Sequence, residues 1–520
     1  MKTLRAASFA VMLAAAALSE LPVGAADGSC EKLSVLKLPN VEITMAQTVA
    51  TGQLRVPAAA GRGGAPPSAP IADPFGTLPA LCRVAATLTP TSDSDIKMEV
   101  WMPESGWNGK MVGEGNGGWA GTITYGGMAE DVRGGYAAAS TDTGHSAANP
   151  PGGAFVLGHP EKLIDFAWRS EHEMTVTAKA IIDAFYGRRP SRAYWEGCST
   201  GGRQGLKEAQ KFPEDYDGIA AGAPANPFSL ISAHNMYVGV VSLKDPANYI
   251  PPAKYPLIHQ AVLNACDALD GVKDGLLTDP RKCLFDPAVL QCKGEDGPTC
   301  LTAPQVQTAK RIYGPVVNPR TSKEYYPGLE PGTELGWNVL AGGPQPFTAV
   351  ADFFKYVVKQ DPNWDWRTLD FDKDVELALK VENGLTAAVD TKMDAYQRRG
   401  GKLLFFHGWT DQNVPPRNTI NYYSSIREAM GGAKNDDWMR LFLVPGMNHC
   451  RGGEGPNAMN LVEALDNWVE HEEAPARIIA THFTDGKPDR TRPVCPYPLM
   501  QTYKGTGSID DAANFVCNAP

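Results

Sequence analysis

Long runs of charge of one sign are absent from this sequence, and so are internal repeats. The 48 Lys and Arg and the 58 Asp and Glu are scattered, so the net charge of -10 offers no basic surface for nucleic acid. Beyond the N-terminus, no apolar run reaches the ~20 residues that a membrane-spanning helix needs. A composition of 43% hydrophobic and 20% charged residues excludes disordered, collagenous and coiled-coil classes. We therefore expect a globular protein with neither nucleic acid nor membrane as a partner, and the sequence leaves its oligomeric state open.

The N-terminus has the composition of a cleavable secretory signal. Lys2 and Arg5 precede an apolar run at 6–18, and small residues follow up to Ala25 and Ala26. A membrane anchor is the alternative, but the run is shorter than a spanning helix. Export leads to an oxidising compartment, where ten cysteines, an even number, favour disulfide bonds. We predict a signal peptide at 1–26 and a secreted or periplasmic protein.

Strand and helix patterns alternate along the mature chain. Short apolar runs between Gly-rich or polar turns predict strands at 96–101, 110–112, 136–140, 192–196, 402–406 and 440–444. Helical spacing of apolar residues predicts a helix at 170–185. Such alternation indicates a parallel sheet of the α/β class. The block 227–398 has scattered aromatic residues and little strand periodicity, so we interpret it as a domain inserted between two parts of the sheet domain, 27–226 and 399–520.

Residues 197–201 read G-C-S-T-G and directly follow the predicted strand 192–196. This pattern matches the G-x-S-x-G nucleophile elbow, in which the serine occupies a sharp turn between a strand and a helix. The glycines let neighbouring chains approach a strained turn. The helix that follows would offer free N–H groups and a positive dipole end to the anionic intermediate of acyl transfer. Ser199 is therefore the predicted nucleophile, and a chance match in a Gly-rich turn is the alternative.

A serine nucleophile needs a base and an acid that orients the base. His449 follows the last predicted strand, and Asp411 follows the strand 402–406. The chain order Ser, Asp, His is that of α/β-hydrolases. Asp436 or Asp437 could be the acid instead, but both precede a strand and fall at the wrong edge of the sheet. We predict His449 as the base and Asp411 as the orienting acid.

Cysteines flank both the predicted nucleophile and the predicted base. Cys198 precedes Ser199, and Cys450 follows His449. If the hydroxyl and the imidazole meet, these neighbours come within the roughly 4.4–6.8 Å between Cα atoms that a disulfide spans. We predict a disulfide bond between Cys198 and Cys450, and pairing of each with another cysteine is the alternative.

The glycine-rich stretch 113–118 matches the G-x-G-x-x-G pattern of dinucleotide sites, a weak signal by itself. A nicotinamide cofactor is not expected in an exported chain. A loop after an early strand is where α/β-hydrolases form the second half of the oxyanion hole. We predict that the backbone N–H groups of Gly118 and Thr200 bind the oxyanion.

Carboxylates and Asp-Gly turns cluster at 266–276, and Cys283 follows them. Hard cations such as Ca²⁺ prefer oxygen ligands of this kind. The spacing departs from that of an EF-hand, and a cluster of turns without a metal explains the pattern equally well. The residues alone leave both interpretations open.

The motif G-C-S-T-G-G at 197–202, the late motif G-M-N-H-C at 446–450 and the paired cysteines resemble the tannase and feruloyl esterase family over nearly the whole mature chain. A hydrolase of mono(2-hydroxyethyl) terephthalate in this family is similar in architecture. The resemblance implies an α/β-hydrolase fold with a lid domain at 227–398 that holds structural calcium. The implied calcium ligands are the side chains of Asp267, Asp270 and Asp274 and the carbonyls of Val272 and Leu276. Besides Cys198–Cys450, the implied disulfides are Cys30–Cys82, Cys266–Cys283, Cys292–Cys300 and Cys495–Cys517.

Substrates of this family are esters of aromatic acids such as gallate and hydroxycinnamate. The resemblance therefore implies a small aromatic ester as substrate and an aromatic acyl pocket in the lid. Candidate pocket residues are Trp337, Phe347, Phe353 and Tyr356, with His407 near the acid. Thr200 stands where the terephthalate hydrolase has a glutamate, which favours a feruloyl or galloyl ester over terephthalate.

Sequence and resemblance together predict a secreted serine esterase of the feruloyl or galloyl type. Two alternatives within enzymes are a terephthalate monoester hydrolase and a general carboxylesterase without aromatic preference. An alternative of another class is a catalytically inactive, calcium-dependent binding protein on the same fold. The complete set of Ser199, His449 and Asp411 argues against it.

Overall fold

The computed structural model describes residues 29–56, 75–148 and 152–519, and the predicted signal peptide at 1–26 lies outside them. The strands of the described residues, in chain order, are β1 (Val41–Val49), β2 (Leu81–Leu88), β3 (Ile96–Pro103), β4 (Lys110–Glu114), β5 (Ala137–Thr141), β6 (Arg192–Cys198), β7 (Gly218–Gly222), β8 (Val316–Val317), β9 (Glu324–Tyr326), β10 (Lys402–Gly408), β11 (Met439–Val444), β12 (Ile478–Thr484), β13 (Lys487–Val494), β14 (Met500–Tyr503) and β15 (Phe515–Asn518).

The α-helices of the described residues are α1 (Tyr125–Arg133), α2 (Pro160–Ile164), α3 (Ser170–Tyr186), α4 (Thr200–Lys211), α5 (Phe228–Leu243), α6 (Tyr255–Cys266), α7 (Ala303–Tyr313), α8 (Asn338–Ala341), α9 (Thr348–Asp352), α10 (Lys373–Glu382), α11 (Asp394–Arg398), α12 (Pro416–Ala429) and α13 (Leu461–His471). None of them has the length and hydropathy that crossing a membrane requires.

Nine strands form one mixed sheet in the order β1-β2-β3-β5-β4-β6-β7-β10-β11. The strands from β5 to β11 in this order run parallel, and β1, β2 and β3 extend the sheet antiparallel. The predicted strands 96–101, 110–112, 136–140, 192–196, 402–406 and 440–444 all lie in this sheet, and the predicted helix 170–185 is α3. A mixed sheet with helices is the α/β-hydrolase type of fold that the sequence predicted.

The sheet is buried on both faces, because helices cover each side. In β6 the adjacent Tyr194 and Trp195 point to opposite faces, as strand geometry requires, and both are fully buried. Trp195 belongs to the same apolar core as residues of α3 and Phe405 of β10, whereas Tyr194 belongs to the core that contains Trp468 of α13. Each such side chain contributes about 1.5–3 kcal/mol through the apolar surface it removes from water. The two cores hold the carboxyl ends of the parallel strands in fixed register.

The chain leaves the sheet after β7 and returns to it at β10, and the segment between these strands, the insert, is mostly helical. One apolar cluster, around Trp337 and Ile258, lies wholly within this segment. A second cluster, around Phe353, is shared with Trp119, which precedes the segment in the chain. At the C-terminal end of the segment, Tyr396 packs in the core of the sheet. The insert therefore has one core of its own and packs against the rest of the chain through two others.

Five disulfide bonds are present, and no described cysteine is free. They join the same pairs that the family resemblance implied: Cys30–Cys82, Cys198–Cys450, Cys266–Cys283, Cys292–Cys300 and Cys495–Cys517. Cys198–Cys450 closes by far the longest segment, with a sequence separation of 252. It is also the bond that lies beside the predicted nucleophile and base.

Candidate active site

The turn between β6 and α4 places Ser199 at the carboxyl edge of the sheet. Its backbone has φ 64° and ψ -119°, a conformation that non-glycine residues rarely adopt. The N–H of Ser199 donates to the carbonyl of Gly222 at the end of β7, 2.9 Å away. A Cβ at Gly197 would lie 2.6 Å from the carbonyl oxygen of Gly201, so only glycine permits this close approach. The elbow is therefore a strained turn that the neighbouring strand holds in place.

Asp411 and His449 form a hydrogen-bonded pair at the same edge. Asp411 Oδ2 lies 2.7 Å from His449 Nδ1, and its carboxylate is fully buried. Asp411 Oδ1 accepts the backbone N–H groups of Asn413 and Val414, each at 2.8 Å. Burial by itself would raise the pKa of Asp411. The charge of His449 and the hydrogen bonds from His407 and His449 outweigh burial and hold that pKa below its usual range. Asp411 thus stays ionised, as an acid that orients a catalytic imidazole must.

The disulfide bond brings the imidazole loop to the elbow. The Cα atoms of Cys198 and Cys450 are 5.8 Å apart, so the adjacent Ser199 and His449 are neighbours in space. With Nδ1 of His449 bonded to Asp411, Nε2 is the nitrogen left to accept a proton. Within the described residues, no hydrogen bond joins the Ser199 hydroxyl to this imidazole. Such bonds are often long in unliganded enzymes and shorten when substrate binds.

Gly118 and Thr200, the predicted oxyanion donors, lie together. The hydroxyl of Thr200 donates to the carbonyl of Gly118 at 2.7 Å, which fixes the glycine loop against the first residue of α4. As the first residue of a helix, Thr200 has an N–H without a partner in the helix. Gly115 also has a packing reason, because a Cβ there would lie 2.8 Å from the Cα of Gly201. Close packing on the elbow therefore accounts for this glycine without a dinucleotide.

His407, a predicted substrate-binding residue, lies against Asp411 in the interior of the protein. Its side chain is fully buried. Nε2 lies 2.8 Å from the carbonyl of Val414 and 3.1 Å from Asp411 Oδ2, two atoms that can only accept, so Nε2 carries the proton. Nδ1 then accepts from the hydroxyl of Thr419 at 2.8 Å. His407 is a positioning residue that holds the acid in place.

Two of the predicted pocket aromatics lie inside apolar clusters. Trp337 and Phe353 are fully buried in these clusters. Trp337 donates its Nε1–H to the hydroxyl of Thr333 at 2.9 Å, so its polar atom is satisfied inside the protein. Phe347 and Tyr356 are partly buried and pack against these cores. An insert of this size needs large apolar side chains for its own stability, and this need decides where the two rings lie.

An aromatic group that the sequence reasoning missed lies beside the oxyanion loop. Trp119 directly follows Gly118, and its ring contacts those of Phe155, Phe166 and Phe228 at centroid distances of 4.9–5.8 Å. Trp119 Nε1–H donates to the carbonyl of Ala349 in α9 at 2.7 Å. In the sequence, the position of Trp119 directly after the glycine loop was the signal that could have indicated this aromatic group. The insert therefore contacts the site through this loop.

The predicted calcium ligands lie on one loop after α6. Asp267 Oδ1 accepts the N–H groups of Asp274 and Gly275, and Asp270 Oδ2 accepts from the hydroxyl of Thr278. The buried guanidinium of Arg492 lies 2.6 Å from Asp274 Oδ2. The three carboxylates do not form a set whose ligand oxygens are all within 4.8 Å of one another. The donor chemistry fits a hard cation, and Arg492 already neutralises one of the three charges.

An ion-pair network joins the insert to the loop that carries His449. His259 of α6 bonds to Glu334 at 2.8 Å through Nδ1 and to Glu454 at 2.9 Å through Nε2. Burial opposes the charged imidazole, but the two carboxylates outweigh it and raise the pKa of His259 to about 9. At neutral pH the charged ring of His259 therefore connects the insert to Glu454, which lies on the loop that carries His449.

We expect His259 to make stability depend on alkaline pH. The pKa of His259 is raised from 6.5 to about 9. The stabilisation of the fold by its protonated imidazole is therefore complete below pH 6.5 and is lost as the pH rises towards 9. The shift corresponds to roughly 3 kcal/mol. Calorimetry at pH 6.5 and 9.5 should show His259→Gln lowering Tm at the first pH and having little effect at the second. His471→Gln, at an exposed position of α13, is the control, and an equal deficit of His259→Gln at both pH values would contradict the assignment.

Comparison with known proteins identifies the family. Residues 82–518 match the family described as tannase and feruloyl esterase. The chain belongs to this family. The sequence is also 35% identical to an uncharacterized esterase of Xanthomonas campestris pv. campestris, over 96% of this chain and 92% of that protein. It is 34% identical to a probable feruloyl esterase B-2 of Neosartorya fischeri, over 93% of this chain and 94% of that one.

Solved structures of the tannase and feruloyl esterase family share the fold. Feruloyl esterase B from Aspergillus oryzae superposes with a TM-score of 0.86 at 28% identity, over 94% of this chain and 99% of that one. Tannin acyl hydrolase from Aspergillus niger superposes with a TM-score of 0.76 at 22% identity, over 93% of this chain and 92% of that one. At this identity the comparison shows that the two proteins share a fold. As a member of the family, this chain is a carboxylic ester hydrolase of the feruloyl esterase and tannase type.

Proposed function

We propose that this family member hydrolyses esters of aromatic acids, of the feruloyl or galloyl type, with Ser199 as nucleophile. One observation carries the proposal. A buried Asp411 orients His449 on a loop that a disulfide bond ties to the strained elbow of Ser199. Strained serines of this kind persist where the surrounding structure holds them for a chemical purpose.

In the proposed mechanism, Nε2 of His449 takes the proton of Ser199 as Oγ attacks the ester carbonyl. The N–H groups of Gly118 and Thr200 stabilise the oxyanion of the tetrahedral intermediate. Collapse of the intermediate breaks the ester C–O bond, and His449 returns its proton to the leaving alcohol. Water, activated by the same imidazole, then hydrolyses the acyl-enzyme and releases the carboxylic acid. Asp411 stays ionised and stabilises the imidazolium throughout.

The aromatic group beside Gly118 supports the choice of acyl group. These rings are themselves largely buried, with exposed fractions of 0–8%. Because a proposed oxyanion donor lies one residue before Trp119, we infer that an acyl group whose carbonyl oxygen occupies the hole lies against the edge of this aromatic group. Aromatic rings prefer edge-to-face or offset contacts with other rings, so this surface suits a phenolic acid better than a short alkyl chain. The insert contributes Phe228 to this wall, and we infer that residues 227–398 act as the lid over the site.

A panel of esters tests the proposed specificity. We expect kcat/KM for methyl ferulate or methyl gallate to exceed that for methyl butyrate by at least roughly 100-fold, because burying an aromatic ring in such a wall is worth several kcal/mol. Ser199→Ala, assayed in parallel, controls for background hydrolysis. Equal rates on aromatic and aliphatic esters would instead indicate a general carboxylesterase. Preference for mono(2-hydroxyethyl) terephthalate would indicate the terephthalate activity.

We further propose that the loop at 267–276 binds structural Ca²⁺ through Asp267, Asp270 and Asp274 and the carbonyls of Val272 and Leu276. The loop follows α6, whose last residue, Cys266, is disulfide-bonded to Cys283. Arg492 offsets the charge of Asp274 only, and a divalent cation would relieve the repulsion between the carboxylates of Asp267 and Asp270. Bound calcium would stabilise the insert and has no part in the chemical steps.

Chelation tests this calcium site. EGTA should lower Tm by a few degrees, and Ca²⁺ alone should restore it, because an ion that binds only the folded state stabilises that state. Asp270→Asn should abolish the recovery. Asp279→Asn, at a nearby carboxylate that pairs with Arg281, is the control and should retain it. An unchanged Tm in EGTA, with no calcium in the purified protein, would exclude the site.

We also propose that the protein is exported. Five disulfide bonds persist in oxidising compartments and are rare in the cytosol. The N-terminal pattern at 1–26 supplies the corresponding signal. N-terminal sequencing of the protein recovered outside the cytoplasm should find a mature chain that begins near residue 27.

A further inference from the structure

A histidine and two carboxylates converge at the end of α4 that is far from Ser199. His172 lies in the first turn of α3, Glu208 in the last turn of α4, and Asp215 between α4 and β7. One ligand atom from each of the three lies within 4.8 Å of the others. At 1.5 Å per residue, Glu208 is roughly 13 Å along the helix from Ser199, so this cluster lies outside the catalytic machinery.

Glu208 lacks the partners that a buried carboxylate requires. Its exposed fraction is 1%, and among the described residues no N–H or O–H group donates to either oxygen; its one hydrogen-bonding neighbour is the carboxyl of Asp215. Leaving a buried carboxylate uncompensated costs several kcal/mol, so such groups are paired, protonated or bound to a metal. Glu208 is therefore the residue whose buried negative charge a bound cation would neutralise.

The two other members of the cluster face the same space. His172 Nδ1 lies 2.6 Å from Asp215 Oδ2, and its imidazole stacks on the ring of Phe212 at 3.7 Å, which fixes its orientation. The nearest positive group is the ammonium of Lys179, which bonds to the carbonyl of Asp215 and lies 4.0 Å from its Oδ1. Lys179 therefore contacts the carbonyl and Oδ1 of Asp215, whereas Oδ2 of Asp215 is the oxygen that lies next to His172.

We propose that His172, Glu208 and Asp215 bind a divalent first-row transition-metal ion of the Zn²⁺ type. One imidazole nitrogen and two carboxylate oxygens form a donor set that suits Zn²⁺ better than Ca²⁺, which takes six to eight oxygens. The ion would replace the direct contact between His172 and Asp215. It would join α3 to the C-terminal turn of the nucleophile helix and so stabilise the helix that carries Ser199 at its other end.

A proton is the competitor of this metal. Burial, followed by the charges of Asp215 and Glu171 and a hydrogen bond with the Asp215 carboxyl, raises the pKa of Glu208 well above its usual range. A protonated Glu208 would be neutral and would need no ion. Glu208→Gln separates the two cases, because the amide has the same shape and is neutral without a proton but cannot replace the carboxylate as a ligand.

The test is metal retention by the full mature protein. After treatment with EDTA and dialysis, the protein is equilibrated with a small excess of Zn²⁺, dialysed again and analysed by mass spectrometry for bound zinc and by calorimetry for Tm. We expect one zinc per chain and a rise in Tm of roughly 2–4 °C. Glu208→Gln and His172→Ala should weaken zinc binding by more than roughly 100-fold, since even changes outside the ligand set cost 10- to 100-fold.

His471→Ala, at an exposed histidine of α13, is the matched control and should retain the zinc. Circular dichroism and the zinc-free Tm verify that each variant is folded. The proposal is overturned if the wild type retains no zinc, if Glu208→Gln retains as much as the wild type, or if Ca²⁺ binds the cluster in place of Zn²⁺. Unchanged zinc-free stability of Glu208→Gln together with no zinc in the wild type would assign the cluster to a shared proton.

Discussion

Replacing Ser199 by alanine is expected to lower kcat/KM for aromatic esters by roughly 10⁴- to 10⁶-fold while the protein stays folded. This corresponds to the loss of about 5–8 kcal/mol of transition-state stabilisation. In the proposed mechanism the hydroxyl oxygen of Ser199 forms the acyl-enzyme, and the neighbouring hydroxyl of Thr200 is bonded to the carbonyl of Gly118. Alanine tolerates the positive φ of the turn no worse than serine does, because both carry a Cβ. Hydrolysis of a chromogenic aromatic ester, followed over several hours, measures the residual rate.

Covalent labelling separates loss of chemistry from loss of structure. A serine-directed phosphonate should modify the wild type at Ser199, as located by peptide mass spectrometry, and should leave Ser199→Ala unlabelled. Ser425→Ala removes an exposed hydroxyl on α12 that bonds only to the carbonyl of Asn421, and it should behave as the wild type in both assays. Undiminished turnover by Ser199→Ala would end the proposed mechanism. A folded wild type that forms no adduct would favour a binding protein.

Removing the disulfide bond between Cys198 and Cys450 is expected to reduce both stability and activity. Loop-closure entropy for a separation of 252 residues gives roughly 5 kcal/mol of stabilisation. The same bond holds His449 against the elbow, and catalytic groups lose rate steeply when displaced by about 1 Å. We expect the variant Cys198→Ser, Cys450→Ser to lose at least roughly 100-fold in kcat. Calorimetry and steady-state kinetics on the same sample measure the two effects.

The bond between Cys292 and Cys300 is the matched control for this variant. It closes a separation of only 8 residues and lies in the insert, so its loss should cost roughly 2–3 kcal/mol and leave kcat nearly unchanged. If both double variants lost the same stability and kept full activity, the Cys198–Cys450 bond would have no catalytic role.

Sequence reasoning succeeded where the constraint is local. Gly197 and Gly201 flank Ser199 because a turn from strand to helix leaves no space for a side chain, and that requirement is visible in five consecutive residues. The parallel strands were recognisable for a related reason, since buried strands need short apolar runs. Asp411 could be preferred over Asp436 because it follows a strand, and in the structure Asp436 pairs with Arg427 on the other side of β11.

The sequence could not indicate an environment that residues distant in the chain decide. His407, Trp337 and Phe353 were predicted to bind substrate, and the structure shows that all three are fully buried. Nothing in the residues around His407 indicates that Thr419 and Val414 use both of its nitrogens. The burial of a side chain depends on which surfaces of the insert and the sheet meet. The pattern of residues along one sequence does not show which surfaces these are.

The sequence by itself determined the class of fold and the tight turn at 197–201, because strand periodicity and tight turns are local properties of a few residues, and it predicted the order of nucleophile, acid and base. Only the tertiary structure decided that His407 lies against Asp411 and that the rings of Phe155, Phe166 and Phe228 contact Trp119. It alone also brought His172, Glu208 and Asp215 together. These arrangements depend on contacts between segments that packing of the two cores brings together, and their free energy is a property of the folded chain as a whole.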